Sequence, residues 1–394
     1  MKNGWEKKTL ADVCEISSAL VDPRRNEYQS LVHVGGANIE ANTGELFNLK
    51  TAKDEGLISG KFVFDEKMVL YSKIRPYLMK VARPDFKGLC SADIYPLVPR
   101  DGRLDRGFLY YVLLTERFTE FAVAGSARSG MPKVNREHLF AYSLSVPPLP
   151  EQRRIVGILD ESFDGIATAK TNAEKNLQNA RALFESHLQA VFTQRDEGWV
   201  EKHLKEVCEK ITDGTHQTPK YFDDGIIFLS SRNVTSGRVD WDRIKYIDTK
   251  QHLEMHKRVA PRRGDVLLAK NGTTGVAAIV DRDTTFDIYV SLALLRALPV
   301  IRPQFLLYFI NSPAAKHQFN KRLKGIGVPN LHLEEIREVR ISYPSNVDKQ
   351  DHIVAGFDCL AAETQRLESF YRRKLAALDE LKKSLLHRAF SGQL

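Results

Sequence analysis

Two stretches of the chain place apolar residues at alternating steps of three and four. The first runs through Ile155, Leu159, Phe163, Ile166, Ala169, Ala173, Leu177, Ala180, Phe184, Leu188 and Val191. The second runs through Ile353, Phe357, Leu360, Thr364, Leu367, Tyr371, Lys374, Leu378, Leu381 and Leu385. That spacing predicts two long amphipathic helices with a coiled-coil seam, interrupted at a few weak positions. Each stretch starts against proline, Pro147, Pro148 and Pro150 before the first and Pro344 before the second. Proline fits ahead of a helix or in its first turn and nowhere further in. About 40–45 residues at ~1.5 Å rise make each helix about 60–68 Å long.

The rest of the chain is patterned differently. Short β-like runs ("KMVLYS", "GIIFLS", "GDVLLAK", "VAAIV") alternate with short helix-like runs ("RGFLYYVLLTERF", "PQFLLYFINSPAAKHQF") and many Gly, Asn and Asp turns. This predicts an α+β fold. The organisation read from the pattern is a globular block over 1–149, a helix over 150–197, a second block over 198–347 and a last helix over 348–394.

The two halves are copies of one another. "GWEKKTLADVCE" at 4–15 returns as "GWVEKHLKEVCE" at 198–209, and "VLYSK" at 69–73 returns as "VLLAK" at 266–270. "RGFLYYVL" faces "RPQFLLYFI" through Phe108/Phe305 and Tyr111/Tyr308, and "MPKVN" lies opposite "VPNLH". "EQRRIVGILD" pairs with "KQDHIVAGFD", and "LFESHLQAVF" with "LKKSLLHRAF". Two copies are too few for a solenoid, so the repeat predicts a pseudo-two-fold molecule. Helices related by such an axis run antiparallel and cover each other's stripe. The alternative, each helix folded on its own block, lacks a long apolar surface to receive it.

The net charge of +8 over 394 residues is unevenly placed. Residues 1–149 hold 21 Lys/Arg against 18 Asp/Glu, and residues 201–348 hold 23 against 18. Residues 150–200 and 349–394 hold 6 against 8 and 8 against 6. A polyanion would therefore touch the blocks, while the helices suit protein contacts. No apolar run is long enough to span a bilayer and the first thirty residues are charged, which predicts a soluble cytoplasmic protein. Cys14, Cys90, Cys208 and Cys359 show no CxxC spacing and suggest neither disulfides nor a zinc site. No G-x-G-x-x-G, Walker A or Asn-Pro-Pro-aromatic methyltransferase motif is present, and no acid–base constellation recurs in both copies.

"PPLPEQRRIVGILD", its echo "KQDHIVAGFD" and the ending "LLHRAFSGQL" resemble the specificity subunit of type I restriction–modification systems. The pieces "ITDGTHQTPKYF" and "GDVLLAKNGTTGVAAIV" also resemble that family. The second helix start departs from it, with Ser345, Asn346 and Val347 where the first has Pro148, Leu149 and Pro150. The resemblance implies two tandem α/β target-recognition domains, each followed by a spacer helix, the helices forming an antiparallel coiled coil. It implies a DNA-binding subunit without catalysis of its own that reads a split, asymmetric double-stranded site. Two modification subunits would carry S-adenosylmethionine and the adenine methylation, and restriction subunits would add translocation and cleavage; this chain would bind no cofactor and no metal.

Base reading calls for Arg or Lys to guanine and Asn or Gln to adenine, held on loops that differ between the copies. The candidates in the first block are Lys73, Arg75 and Tyr77 after a strand, with Arg128, Lys133, Asn135 and Arg136 in a Gly-containing loop. In the second they are Thr215, Gln217 and Lys220, then Lys270, Asn271, Thr273 and Thr274, then Arg322, Lys324 and Asn330. His216 reads better as a turn residue. Two other functions fit less of the pattern: a coiled-coil adaptor with protein-binding heads, which would ignore duplex DNA, and a stand-alone DNA-acting enzyme, which would need catalytic residues. On the favoured reading, inserting four residues (~6 Å) into both helices lengthens the unread gap and leaves both half-sites unchanged. Methylation mapping of cells carrying the insertion checks this.

Overall fold

The computed structural model describes residues 4–17, 20–126, 131–193, 197–323 and 330–394. It forms two compact units, Met1–Ala173 with Arg373–Leu394, and Glu174–Arg372. In the first unit a four-stranded antiparallel sheet has the order Cys14–Ile16, Ile94–Pro99, Val69–Ser72, Val81–Ala82. Val69–Ser72 is buried at every position, as a central strand covered on both faces requires. A five-stranded sheet lies in the same unit, and in it Val32–Val34 runs parallel to Gly88–Cys90. Glu6–Thr9 clasps Ser143–Val146 and so ties the start of the block to its end.

Two helices, Arg106–Leu113 and Glu116–Ala124, cover the four-stranded sheet. Their starts are fixed by side-chain caps: Asp105 accepts from the Phe108 amide at 3.0 Å, and Thr115 from the Phe118 amide at 3.2 Å. Tyr71, Phe118 and Tyr142 meet edge to face beneath them.

The second unit repeats this frame. Cys208–Asp213, Leu292–Ala297, Val266–Ala269 and Ala277–Ile279 form its four-stranded sheet in the corresponding order. Trp199–His203 clasps Arg340–Pro344, and Ile226–Leu229 runs parallel to Phe286–Ile288. The helices Pro303–Asn311 and Pro313–Asn320 again cover the sheet, the second capped by Ser312 where the first unit has Thr115. Cys14, Cys90 and Cys208 are buried, which pushes each thiol up to about 12, whereas Cys359 is exposed.

The long helices are Leu149–Thr193 and Val347–Phe390, each beginning one residue before the position the pattern marks. Among the described residues no helix is long and apolar enough to cross a membrane. A fully buried glutamine fixes each start. The Gln152 amide accepts from the Asp105 N–H at 2.7 Å and donates to the carbonyls of Arg103 (3.0 Å) and Pro147 (2.8 Å). Gln350 repeats the pattern with Arg302 N–H (2.8 Å) and the carbonyls of Val300 and Pro344 (2.9 Å each). Where the second helix start lacks prolines, Asn346 Oδ1 accepts from the Asp348 amide at 2.8 Å and caps it instead.

One turn-pair further on, a second repeated contact holds each helix. Tyr111 donates to Asp160 at 2.5 Å, joined by Arg83 at 2.9 Å, and Tyr308 donates to Asp358. Burial, then the neighbouring carboxylate, pushes both phenols well above their usual range.

Within each unit the helix segments run antiparallel. In the first, Ile155 and Leu159 share a core with Leu386 and Ala389, while Lys170, further along, pairs with Asp379, nearer the start of the other helix. In the second, Arg181 pairs with Glu368 at 2.9 Å and Phe192 packs on Phe357 at 5.7 Å. Phe163, Phe184, Leu385 and Ile353 pack against these cores from their edges, and Ile166 and Leu188 are buried. Leu177, Leu360, Leu367, Tyr371 and Leu378 are half-buried. Leu381, expected on the stripe, is instead 47% exposed. A straight helix drifts against a strict seven-residue repeat, so past Tyr371 the inward face moves on by one residue. Lys382 takes the place of Leu381, its ammonium 5.0 Å from the centre of the Phe163 ring.

Replacing Gln152 by Leu leaves one buried amide and two carbonyls without partners. We expect a loss of about 3 kcal/mol or more, read as a lower midpoint in urea unfolding, with a similar loss for Gln350→Leu.

Candidate nucleic-acid interface

In each unit the segment leaving the buried central strand runs alongside the segment that leads into a short helix. In the first unit Ile74 bridges Lys133, the Arg75 amide donates to Pro132 O at 2.9 Å, and the Val134 amide donates to Lys73 O at 2.9 Å. In the second, Asn271 bridges Asn330 and the Leu331 amide donates to Lys270 O at 2.9 Å. The same backbone frame thus presents the loop residues twice.

The side chains on that frame differ. In the first unit Lys73 and Lys133 reach toward Asp93 at 3.7 and 3.6 Å, and Lys73 and Arg136 lie over the Tyr95 ring at 5.0 and 5.9 Å. Burial, then the second ammonium, lowers the Lys73 pKa. Next to this group Arg75 is exposed in the left-handed region (φ 50°), and Tyr77 is 53% exposed. A non-glycine residue at positive φ is uncommon and aims its side chain where a regular strand would not. Asn135 has a structural task, its side chain capping Arg136–Phe140 by accepting from the His138 amide at 2.7 Å.

In the second unit Lys270 is buried. Its ammonium meets Asp213 at 3.0 Å, and the same carboxylate accepts from Arg258 at 2.8 Å and lies 3.3 Å from His216. Lys270 is therefore a partner of a buried carboxylate and not a free phosphate contact, while His216 lies exposed in the bend that follows the strand Cys208–Asp213. Thr273 and Thr274 lie in a turn between Gly272 and Gly275, both at positive φ, with Thr273 exposed. The Asn271 and Asn330 side-chain oxygens are buried, with no hydrogen-bond partner among the described residues.

Thr215, Gln217 and Lys220 form a separate segment. Gly214 makes it possible, since a Cβ there would sit 1.9 Å from Ile288 O. Thr215 bridges Tyr289, while Gln217 and Lys220 are exposed. The sequence reading missed the aromatic residues beside them: Tyr221 and Phe222 are partly exposed, with Lys245 3.8 Å over the Tyr221 ring and Lys220 5.5 Å over Phe222. Their adjacency to Lys220 in "TPKYF" was the available signal. Arg322 turns back to donate to Gln318 O at 3.0 Å and is not brought to the other candidates by any described contact. Arg128 and Lys324 lie outside the described residues.

Exposed cations beside aromatic rings, on two matched frames with unlike side chains, suit a polyanion that also offers ring faces. The family model described as "Type I restriction modification DNA specificity domain" matches residues 2–178 and again 196–374. The chain belongs to this type I specificity family. The EcoDI type I restriction enzyme specificity subunit of Escherichia coli is 35% identical over 196 residues, which is 50% of this chain and 42% of that protein. The MjaVIII specificity subunit of Methanocaldococcus jannaschii is 22% identical over 326 residues, 78% of this chain and 75% of its own. The match to the first relative thus spans well under two thirds of its length.

Among solved structures, one from a study of complex assembly and conformational transition of the type I R-M system superposes with a TM-score of 0.83 at 22% identity, covering 100% of this chain and 99% of that one. The HsdS subunit from Thermoanaerobacter tengcongensis gives a TM-score of 0.64 at 20% identity, covering 100% and 98%. At these identities the likeness is one of fold. The two specificity domains have their duplicated frame in common with those chains.

Because the two domains present different side chains, substitutions should separate. Arg75→Ala is expected to weaken binding about tenfold or more at one half of a DNA target, and Gln217→Ala at the other. Competition binding with targets mutated one half at a time checks this; equal losses at both halves would count against it.

Proposed function

We propose that this chain is the DNA-recognition subunit of a type I restriction–modification complex, reading a bipartite, asymmetric double-stranded site and catalysing nothing itself. One observation carries the reading: the two units repeat the strand order of the four-stranded sheet and one loop pairing yet arm the equivalent loops with different chemistry. Identical frames with unlike side chains are what two half-sites of different sequence require. Lys133 and Arg136 in one unit, and Lys220 and Lys245 in the other, supply the sequence-blind attraction to phosphate. Arg75, Tyr77, Gln217, Thr273 and the Tyr221–Phe222 pair are the groups placed to meet bases or sugars.

On this reading the exposed faces of the long helices seat two modification subunits, which bring S-adenosylmethionine and take the adenine out of the stack to methylate it. Restriction subunits join the same assembly, and the complex works in the cytoplasm. The neutral charge of the helices, against the basic blocks, supports protein contacts there.

Cells with and without this chain should differ at one split, asymmetric adenine-methylated motif. Purified protein with its modification subunits should bind duplex carrying that motif, with affinity falling as salt rises, by a slope of roughly −0.9 per phosphate neutralised. No motif lost on deletion, together with no salt-dependent duplex binding, would favour the adaptor reading.

A further inference from the structure

In the second unit one group of side chains carries donor chemistry that DNA recognition does not use. His252 and His256 stand four residues apart on the helix Thr249–His256 and so share a face. That face packs on the strand Phe286–Ile288, where Asp287 is only 2% exposed. His252 Nδ1 lies 2.7 Å from Asp287 Oδ2, and His256 Nδ1 lies 3.1 Å from Oδ1. All three donor atoms fall within 4.8 Å of one another.

We propose that His252, His256 and Asp287 bind one divalent transition-metal ion of the zinc class. Two imidazole nitrogens and one carboxylate oxygen suit Zn²⁺, Co²⁺ or Ni²⁺, whereas Mg²⁺ and Ca²⁺ ask for oxygen donors throughout. Ligands at about 2.1 Å in a tetrahedron stand ~3.4 Å apart, so the nitrogen–oxygen spacings of 2.7 and 3.1 Å need to open by about 0.7 and about 0.3 Å. A dication would also place positive charge beside the buried Asp287 carboxylate. The His256 ring, one-third exposed, leaves a route for the ion and for a water as fourth ligand.

Among the described residues the cluster belongs to one copy alone. In the parallel strand pairs, Phe228 faces Asp287 and His33 faces Leu89, so the matching position in the first unit holds an apolar residue. The helix that would carry the metal also carries Gln251, which accepts from the Lys220 amide at 2.8 Å and donates to Lys220 O at 3.0 Å. Metal at the cluster would therefore brace the segment around Lys220 from behind, whatever that segment contacts.

The test uses the full chain, free of any histidine tag and stripped with chelator. Titration with Co²⁺ should give visible absorption bands saturating at one ion per chain, displaced by Zn²⁺, and Zn²⁺ should raise the melting midpoint. His252→Ala and His256→Gln should each weaken Zn²⁺ binding at least about tenfold without altering the far-ultraviolet circular dichroism, and Cys359→Ser should not. Absence of stoichiometric Co²⁺ and Zn²⁺ binding at micromolar concentration overturns the proposal, as does binding of equal strength in both histidine variants. Should His252→Ala fail to fold, His256→Gln decides, because its ring is the more exposed of the two.

Discussion

The buried glutamine at each helix start is the constraint on which the rest turns. An amide oxygen has two lone pairs and its nitrogen two protons, and Gln152 and Gln350 each use three of these four capacities on backbone groups of three different residues. In each unit those groups come from the strand end before the helix and from the turn that starts the first covering helix. One side chain therefore joins the edge of a sheet, the cap of one helix and the start of another. Nothing apolar could do this, because the backbone groups would stay buried and unpaired. The tyrosine–aspartate contact two to three turns along then fixes the helix a second time, so each long helix leaves its block in one orientation.

The same economy of frame explains how two unlike surfaces arise. Strand order, clasp and loop pairing recur because they are set by buried residues and backbone hydrogen bonds. The loop side chains are not part of that frame and are free to differ. Lys73 and Lys270 show how far that goes: matched in sequence, one stands beside Lys133 and the exposed carboxylate of Asp93, while the other is enclosed with the buried Asp213. A buried carboxylate with several cationic or ring-nitrogen neighbours is held by all of them together, and removing one leaves an uncompensated charge.

The helices, the repeat and the α+β character of the blocks could be read in the sequence because each rests on a periodicity or a local match. Even there Leu381 misleads, since a strict three-four alternation ignores the slow drift of a real helix. The surface was harder. Lys270 looks like a free cation until Asp213 arrives from a strand 57 residues earlier in the chain, and no local pattern announces that pairing. Asn135 reads equally well as a base contact or a helix cap, and only its distance to the His138 amide separates them. Tyr221 and Phe222 were overlooked because aromatic residues beside a lysine are ordinarily core. His252 and His256 show helical spacing in "HLEMH", but their carboxylate comes from a strand more than thirty residues on.

Fixing a helix at its start also fixes its phase. Each residue turns the axis by about 100°, so one residue gained or lost beyond Gln152 would swing the far apolar positions a quarter-turn or more out of their groove. Length changes near a whole number of turns bring the stripe almost back to its original azimuth. The helices are thus threaded like a screw, and lengths that fall between turns are closed to them.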